Sequence, residues 1–267
     1  MPHVSLRFAR AADGRSFLAR QFVRYPFHVC RPHADEARPG ACTLTLQSLS
    51  GGLFEHDDLA LGIDARDGAR VRVTTAASTI VHAMRGGQAS QSLSLSATGG
   101  ACLAFLPEPQ ILFPGSRLAG RTRVSVDAAS TVLCAEYFLA HDPCAAGAPG
   151  GPFSAFDSRF DVVAADAGGC LLARERCLID GPAWLDRRIG LSNGQGVHAS
   201  LWLISQGIGD ERIAAWRAAI ADASARGECT HAGVSRLPND AGLQLRAVSD
   251  DVVALKRLVS CLAESTA

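Results

Sequence analysis

The sequence predicts a mainly β protein, with meandering antiparallel sheets and two helices near its C-terminus. Three observations support this fold class. Apolar and polar residues alternate through most of the chain, which is typical of strands buried on one face. Glycine-containing pairs separate these segments and supply tight turns. In the last quarter the apolar spacing lengthens to three or four residues, which is the period of an amphipathic helix.

By its length the chain could form one large β domain or two small ones, and we take it as a single β-rich domain over residues 1–267. A chain of this length can bury roughly 70–75% of its unfolded surface, so it needs no disulfides to form a core. Its 26 basic and 26 acidic residues cancel without blocks of like charge, which argues against nucleic acid or a membrane surface as partner. No apolar segment is long enough to span a bilayer. The nine cysteines follow no framework spacing and no signal peptide is evident, so we expect reduced thiols in the cytoplasm.

The N-terminal part predicts short strands, with Asp13-Gly14 as a hairpin turn between the first two. Directly after them, His28, Cys30 and His33 place two imidazoles and a thiol within six residues. Such borderline ligands suit nickel, copper or zinc, so this segment is a metal-site candidate. The alternative, which we favour, is a strand end with unrelated polar side chains. A further strand is predicted over residues 43–49.

The central stretch, residues 48–117, carries the clearest period-two pattern. Tight turns are predicted at Asp67-Gly68 and Gly99-Gly100. The residues expected on one face of successive strands are Leu59, Leu61 and Ile63, then Val71, Val73 and Thr75, then Leu93, Leu95 and Ala97.

An acidic turn follows the pair Gly51-Gly52 in this stretch. It consists of Glu55, His56, Asp57 and Asp58, which together offer three carboxylates and one imidazole. Hard and borderline ligands this close could hold a divalent cation transiently. On chemistry alone, a solvated turn whose Asp side chains bond nearby backbone amides is the favoured alternative.

The rest of the chain predicts further strands and then the two helices. Strands are expected over residues 121–139, 158–164, 170–179, 197–204 and 243–248, with a proline- and glycine-rich loop over 142–152. The helices are predicted near residues 210–226 and 249–264. Asp210 and Ser249 are the expected N-caps, and Gly227 the expected end of the first helix.

One pattern suggests a serine hydrolase. The segment Gly190-Leu191-Ser192-Asn193-Gly194 fits G-x-S-x-G, and Asp210 or Asp222 followed by His231 would complete a triad in α/β-hydrolase order. A nucleophile elbow needs a helix after it, whereas residues 197–204 read as a strand. A turn explains the glycines better.

Other chemistry is only weakly indicated. The pairs His141 with Cys144 and Cys229 with His231 have ligand-like spacing, but such pairs are more often incidental. No Walker-type loop or G-x-G-x-x-G occurs, so nucleotide binding is not expected. Lys256 is the only lysine, which argues against Schiff-base chemistry.

Several segments, in order along the chain, resemble the UreD (UreH) family of urease accessory proteins. They are Ser50-Gly51-Gly52-Leu53 with Asp57 and Leu59, residues 74–79 (Thr-Thr-Ala-Ala-Ser-Thr), Leu106-Pro107-Glu108-Pro109 with Ile111, Phe113 and Gly115-Ser116-Arg117, and residues 233–237 and 242–246. The proline-containing segment is the most specific of these. The resemblance covers most of the chain and implies a β-rich fold with two C-terminal helices.

The resemblance also implies a non-enzymatic role in urease maturation. Family members form a complex with a UreF-type accessory protein and a UreG-type GTPase, and the complex docks on apo-urease. Nickel passes through polar cavities of the D protein to the urease active site, so no tightly bound cofactor is expected. Asp57 is the metal-path residue carried over from the family motif, whereas Glu55, His56 and Asp58 are added on chemistry alone.

This chain departs from the family pattern at several positions. His56 replaces a glycine, and Ala76 replaces a glutamine. After Glu136 the family has Gly-Arg and Gly-Glu pairs, where this chain has His141-Asp142 and Ala146-Gly147. Asp142 stands where the family has the arginine of the Gly-Arg pair, which reverses the charge at that position. These departures motivate a second hypothesis, a β-rich binding module of another pathway, beside the urease accessory scaffold and the hydrolase based on Ser192.

Overall fold

The computed structural model describes residues 1–36, 38–140, 151–227 and 231–265. Over these ranges the protein has eighteen strands and three α-helices, so the mainly β prediction is confirmed. The first half contains β1 Val4–Arg10, β2 Ser16–Val23, β3 Phe27–Val29, β4 His33–Ala34, β5 Cys42–Ser48, β6 Asp58–Ala65, β7 Arg70–Thr75, β8 Thr79–Val81, β9 Ala89–Ala97, β10 Cys102–Phe105, β11 Gln110–Leu112, β12 Arg117–Val126 and β13 Thr131–Ala140. The second half contains β14 Ala155–Ala164, β15 Leu171–Asp180, α1 Gly181–Leu185, β16 Val197–Ile204, α2 Asp210–Ala225, β17 His231–Arg236, β18 Gly242–Ser249 and α3 Val252–Glu264.

The strands form two sheets. Sheet A has the order β15-β14-β12-β9-β6-β1-β2. Sheet B has the order β17-β18-β16-β13-β10-β7-β5-β3, with β4, β8 and β11 attached to it. Their inner faces pack on each other through two clusters of buried apolar side chains. A third apolar cluster lies on the outer face of sheet B, beneath α2 and α3.

The predicted antiparallel pairing holds for the outer strands, as between β1 and β2, β14 and β15, or β16 and β18, but it is wrong for the central strands of both sheets. In sheet A the neighbours β1, β6, β9, β12 and β14 run parallel, and in sheet B β5, β7, β10 and β13 run parallel. The tight turns at Asp67-Gly68 and Gly99-Gly100 do form, with left-handed backbone, but each leads from a strand of sheet A to a strand of sheet B. Because the chain alternates between sheets, successive strands of one sheet point the same way. Period-two alternation of apolar residues specifies which face of a strand is buried. It does not specify whether the neighbouring strand runs parallel or antiparallel.

The helices differ slightly from the prediction. A short helix, α1, was not expected, and Asp180 caps it by accepting from the Ala183 amide. Helix α2 begins after Gly209, with Asp210 in its first turn, where a negative charge favours the helix dipole. Asp251 rather than Ser249 caps α3. No helix in the described part of the chain is long and apolar enough to cross a membrane.

Candidate functional site

A polar cavity of about 80 Å³ lies between the two sheets. This space can hold a few water molecules. Both sheets contribute to its wall, together with the segment that links β10 to β11. Its polar side chains include Thr75, Gln91, Gln110, Thr122 and Glu136.

Glu136 is the carboxylate that β13 directs towards this cavity. Along the inner face of that strand it stands between Cys134 and Phe138, which belong to apolar clusters. The Ser158 hydroxyl donates to Glu136 Oε2 at 2.7 Å. Burial raises the pKa of Glu136 to about 7, although the Ser158 bond and the charge of Arg246 oppose the rise. A carboxylate that titrates near neutral pH therefore lies inside the sandwich.

A glycine opposite Glu136 keeps the cavity open. A Cβ atom on Gly120 of β12 would lie 4.0 Å from Glu136 Oε2 and 3.8 Å from Ser158 Oγ. Its φ is not in the left-handed region, so the backbone does not require glycine here. A larger side chain would occupy the space above the carboxylate.

Two of the sequence segments that carry the family resemblance, residues 74–79 and the Leu-Pro-Glu-Pro segment, meet at this cavity. The Thr74 hydroxyl donates to the Leu106 carbonyl at 2.8 Å, and the Glu108 amide donates to Thr75 Oγ1 at 2.8 Å. These bonds attach the Leu-Pro-Glu-Pro corner to β7. Glu108 also lines the cavity and accepts from Lys256 of α3 at 2.7 and 2.5 Å.

Two thiols near Glu136 are held protonated. Burial raises the pKa of Cys177 to about 12, and the negative charge of Glu136 adds to the shift. The pKa of the fully enclosed Cys134 is raised for the same two reasons. At neutral pH neither thiol is a thiolate, so the carboxylate is the stronger cation ligand of the three.

A groove of about 590 Å³ lies on the other side of these residues, between β15 and β18. Arg246 and Cys177 line the groove, and both interact electrostatically with Glu136. Arg246 and Gln244 also donate to the carboxylate of Glu175, which accepts from Trp202 Nε1 at 2.9 Å as well. These side chains connect sheet A to sheet B between the cavity and the groove.

The groove also contains a buried imidazole. His198 stacks on Phe138, with ring centroids 5.1 Å apart, and its Nδ1 has no hydrogen-bond partner among the residues that the structure describes. Burial lowers the pKa of His198 to about 4, so the ring is neutral at physiological pH.

Backbone amides of the turn itself and of the β8–β9 loop bind the carboxylates of the acidic turn. Glu55 Oε1 accepts from the Gly86 and Gly87 amides at 3.0 and 2.5 Å, and these bonds, Gly87 first, lower the pKa of Glu55. Asp57 Oδ2 accepts from the Phe54 amide at 2.7 Å. His56 has a φ of 70°, a left-handed conformation that explains why a glycine suits this position.

The four residues of the acidic turn do not form a ready-made metal site. Asp58 is exposed and begins β6, whereas Glu55 and Asp57 bond to backbone amides. Nowhere in the described ranges do three His, Cys, Asp or Glu side chains come together as metal ligands. The predicted transient nickel contact at Glu55, His56, Asp57 and Asp58 stays a prediction.

The remaining metal candidates are not brought together. His28 is opposite Gln47 and His33 is opposite Thr43, four residues apart along β5, which is about 13 Å. His141 and Cys144, like the departures at positions 141–147, lie outside the described residues, and so does Cys229.

The hydrolase hypothesis is not supported by the geometry. Ser192 is fully buried and its hydroxyl donates to the Trp184 carbonyl at 2.7 Å. His231 instead contacts the side chain of Asn193 at 2.5 Å. The segment forms a turn with left-handed glycines, as expected, but it joins α1 to β16.

Sequence reasoning missed Glu136 as a site residue. A signal for it was present, because Glu136 interrupts the apolar inner face of β13, where a charge is costly unless it has a use. Only the structure reveals that Gly120, Ser158 and Gln91 surround the same space.

Comparisons with known proteins agree with the sequence segments. The family described as UreD urease accessory protein matches residues 2–267. The protein named urease accessory protein UreD 1 from Pseudomonas syringae pv. syringae (strain B728a) is 36% identical over 254 residues, covering 94% of this chain and 86% of the relative. UreD 1 of Methylorubrum extorquens (strain PA1) is 40% identical over 92% of this chain and 81% of its own length. UreD 3 of Bradyrhizobium sp. (strain ORS 278) is 39% identical, with coverage of 92% and 83%.

Proposed function

The chain belongs to the UreD family of urease accessory proteins, and we propose that it passes nickel to apo-urease through the polar cavity around Glu136. Its role is urease maturation. In this proposal nickel is cargo, and the protein supplies a route and no catalytic step.

The proposal is carried by a carboxylate that borders a cavity large enough for a few water molecules inside a β sandwich. Leaving Glu136 there costs stability, because burial disfavours its charged form. Its pKa of about 7 means that a small change in surroundings switches it between an anion that attracts Ni²⁺ and a neutral acid that releases it. Oxygen ligands of this kind hold a borderline cation weakly, which suits transfer rather than storage.

The acidic turn is proposed as a transient nickel contact outside the cavity. Glu55 and Asp57 are already bonded to backbone amides, so the exposed side chains of His56 and Asp58 are the ones available to a passing ion. Asp57 then acts by shaping the turn through its bond to the Phe54 amide.

We further propose a UreF-type accessory protein, a UreG-type GTPase and apo-urease as the partners. The relatives are named urease accessory proteins, and this sequence has no phosphate-binding loop of its own, which leaves GTP hydrolysis to a partner. We place the complex in the cytoplasm, where the seven described cysteines, all free, would stay reduced.

The test is urease activation in a host with the cognate operon, with this gene deleted and then restored. We expect deletion to abolish activity and to lower the nickel content of a urease that is still assembled. Restoring the gene as Glu136→Gln should leave a folded protein but reduce nickel occupancy, because the amide cannot carry the negative charge. Glu211→Gln, an exposed carboxylate on α2, is the matched control and should restore full activity.

Full activity and nickel occupancy with Glu136→Gln would contradict the route through the cavity. In the same strain, Asp58→Asn tests the acidic turn. A reduced rate of activation is expected if the turn contacts nickel, and an unchanged rate would remove the turn from the route.

A further inference from the structure

The outer face of sheet A is unusual because parallel strands there are open to solvent. Five consecutive strands, β1, β6, β9, β12 and β14, are parallel. Parallel sheets are normally covered on both faces. Helices α2 and α3 cover the corresponding outer face of sheet B, whereas side chains on the outer face of β9 and β12 remain accessible.

The centre of this face is a trough of about 880 Å³ with a floor of small side chains. The outward residues of β6 and β9 that form the floor are Ala60, Gly62, Ser92 and Ser94. They lie side by side, since Ala60 pairs with Ser92 and Gly62 with Ser94 in the register of the two strands. Another backbone could therefore approach these strands closely.

Gly62 has no structural reason to be glycine within the chain. Its φ is outside the left-handed region, and an added Cβ would meet only the Val4 carbonyl oxygen, at an ordinary 3.8 Å. Glycine inside a strand weakens the strand and often marks a place where another backbone or a ligand comes close. Since nothing described in this chain comes close to Gly62 from outside, the close approach would be made by another molecule.

Two arginines along the wall of the trough form no ion pair with the described residues. The carboxylate of Asp157 interacts electrostatically with Arg121 but accepts its hydrogen bonds from Arg176. Arg121 and Arg123 of β12 are exposed, and their register partners on β9 are the floor residues Ser92 and Ser94. Within the described ranges neither guanidinium forms a hydrogen bond or an ion pair, whereas the neighbouring Arg159 is paired with Asp161 at 2.9 Å. Two exposed cations beside a floor of small residues suit an acidic peptide ligand, whose backbone can contact the floor while its carboxylates approach the arginines.

We propose that this trough, the surface formed by Ala60, Gly62, Ser92, Ser94, Arg121 and Arg123, docks an acidic segment of a partner protein in the urease maturation complex. The proposal rests on the proposed function for the identity of the complex. The partner's backbone lies on the floor, and its Asp or Glu side chains form ion pairs with Arg121 and Arg123.

A protein segment fits better than a nucleic acid. A polyanion needs many cations along its path, but the same face also carries the carboxylates of Asp58, Asp64 and Asp161. The arginines of β14 and β15 on this face, Arg159, Arg174 and Arg176, are already paired with Asp161 and Asp157, so they add no free cations for a polyanion. A short acidic segment can meet the two arginines and avoid the aspartates.

The first experiment places the photo-crosslinking residue benzoylphenylalanine at position 94, in the exposed centre of the floor, in cells that carry the urease operon. We expect a crosslink to an Asp- or Glu-rich peptide of an accessory protein or of apo-urease. A crosslink to nucleic acid, a crosslink to a second copy of this chain, or none at all in cells that still mature urease would overturn the proposal.

The second experiment measures binding of the purified chain to that crosslinked partner. We expect Arg121→Glu with Arg123→Glu to weaken binding at least about tenfold and to remove most of its salt dependence. Gly62→Leu should weaken binding without changing the salt dependence, because it raises the floor and leaves the charges in place. The control is Arg217→Glu, an exposed arginine on α2, which should bind like the wild type.

The outcomes separate this proposal from the proposed function. If the wild-type gene restores urease activity and the double arginine variant binds and restores activity equally well, the docking surface is wrong and the maturation role stands. If the wild-type gene fails to restore activity, the maturation role fails, and the docking proposal fails with it.

Discussion

The two faces of sheet B pack against different neighbours and have different chemistry. On its outer face, α2 and α3 cover a cluster that consists of apolar side chains, including Trp216, Leu255 and Leu258. On its inner face, the layer shared with sheet A is interrupted between two apolar clusters by the cavity around Glu136. One strand, β13, contributes to both layers: Leu133 faces the helices and Glu136 faces the cavity.

The difference indicates which layer stabilises the folded protein and which layer lowers its stability. Each fully buried Leu or Trp side chain of the helix layer contributes roughly 1.5–3 kcal/mol from the hydrophobic effect. A buried carboxylate works against folding unless it is paired. The helix layer therefore anchors sheet B, and this allows the opposite side of the same sheet to keep a polar space.

The largest expected effect is on the helix layer. Leu255→Ala removes a fully buried side chain of α3 and should lower the free energy of unfolding by about 2–5 kcal/mol, measured by urea denaturation. Leu255→Met keeps the volume and should cost less than about 1.5 kcal/mol. A loss of under about 1 kcal/mol for the alanine variant would mean that the helices are not the anchor of sheet B.

The next effect concerns the pH dependence of the inner layer. The folded-state pKa of Glu136 is raised to about 7, so the folded protein binds this proton more tightly than the unfolded chain does. Stability should consequently fall as pH rises from about 4.5 towards 7 and then level off, by no more than about 3 kcal/mol. The loss of stability stays below this limit, because the Glu136 side chain is only partly removed from solvent.

Glu136→Gln isolates this contribution. Other carboxylates, such as Asp161 with its arginine partners, have lowered pKa values and change stability at lower pH, so the relevant quantity is the wild-type minus variant difference. We expect that difference to favour the variant increasingly between pH 5 and 7. A difference that does not vary with pH in this range would contradict an elevated pKa for Glu136.

The smallest expected effect lies where the two layers meet. Lys256 extends from α3 to the Glu108 carboxylate at the cavity wall, and both side chains are partly exposed, at 38% and 27%. Lys256→Met keeps the apolar stem and should cost less than about 1 kcal/mol, with the loss shrinking at high salt. A loss above 2 kcal/mol that does not depend on salt would show that the pair is effectively buried.

Much of the fold could be predicted from local patterns. The buried faces of β6 and β7 match the alternation of Leu61 with Ile63 and of Val71 with Val73, and the last strand and both long helices occur close to their predicted bounds. The cap of α3 differs because Ser249 and Asp251 both suit an N-cap, and the Asp251 side chain is the one that reaches the first free amides.

The candidate site could be predicted only in part. The Thr-Thr and Leu-Pro-Glu-Pro segments were singled out from the sequence, but the bond between Thr75 and Glu108 that joins them spans thirty-three positions. The carboxylates of the acidic turn suggested a cation contact. In the structure, the Gly86 and Gly87 amides already donate to one of them, Glu55. Residue type alone does not reveal whether a carboxylate is already satisfied by backbone amides.

By itself, the sequence determined the strand faces, the turns and the family, because alternation, glycine conformation and short motifs are local properties of the chain. Tertiary structure alone decided the parallel pairing, the cavity and the trough. These features arise when the chain alternates between two sheets and brings distant strands side by side. Glu136 contacts Ser158, and Gly62 pairs with Ser94, although the members of each pair are distant in sequence.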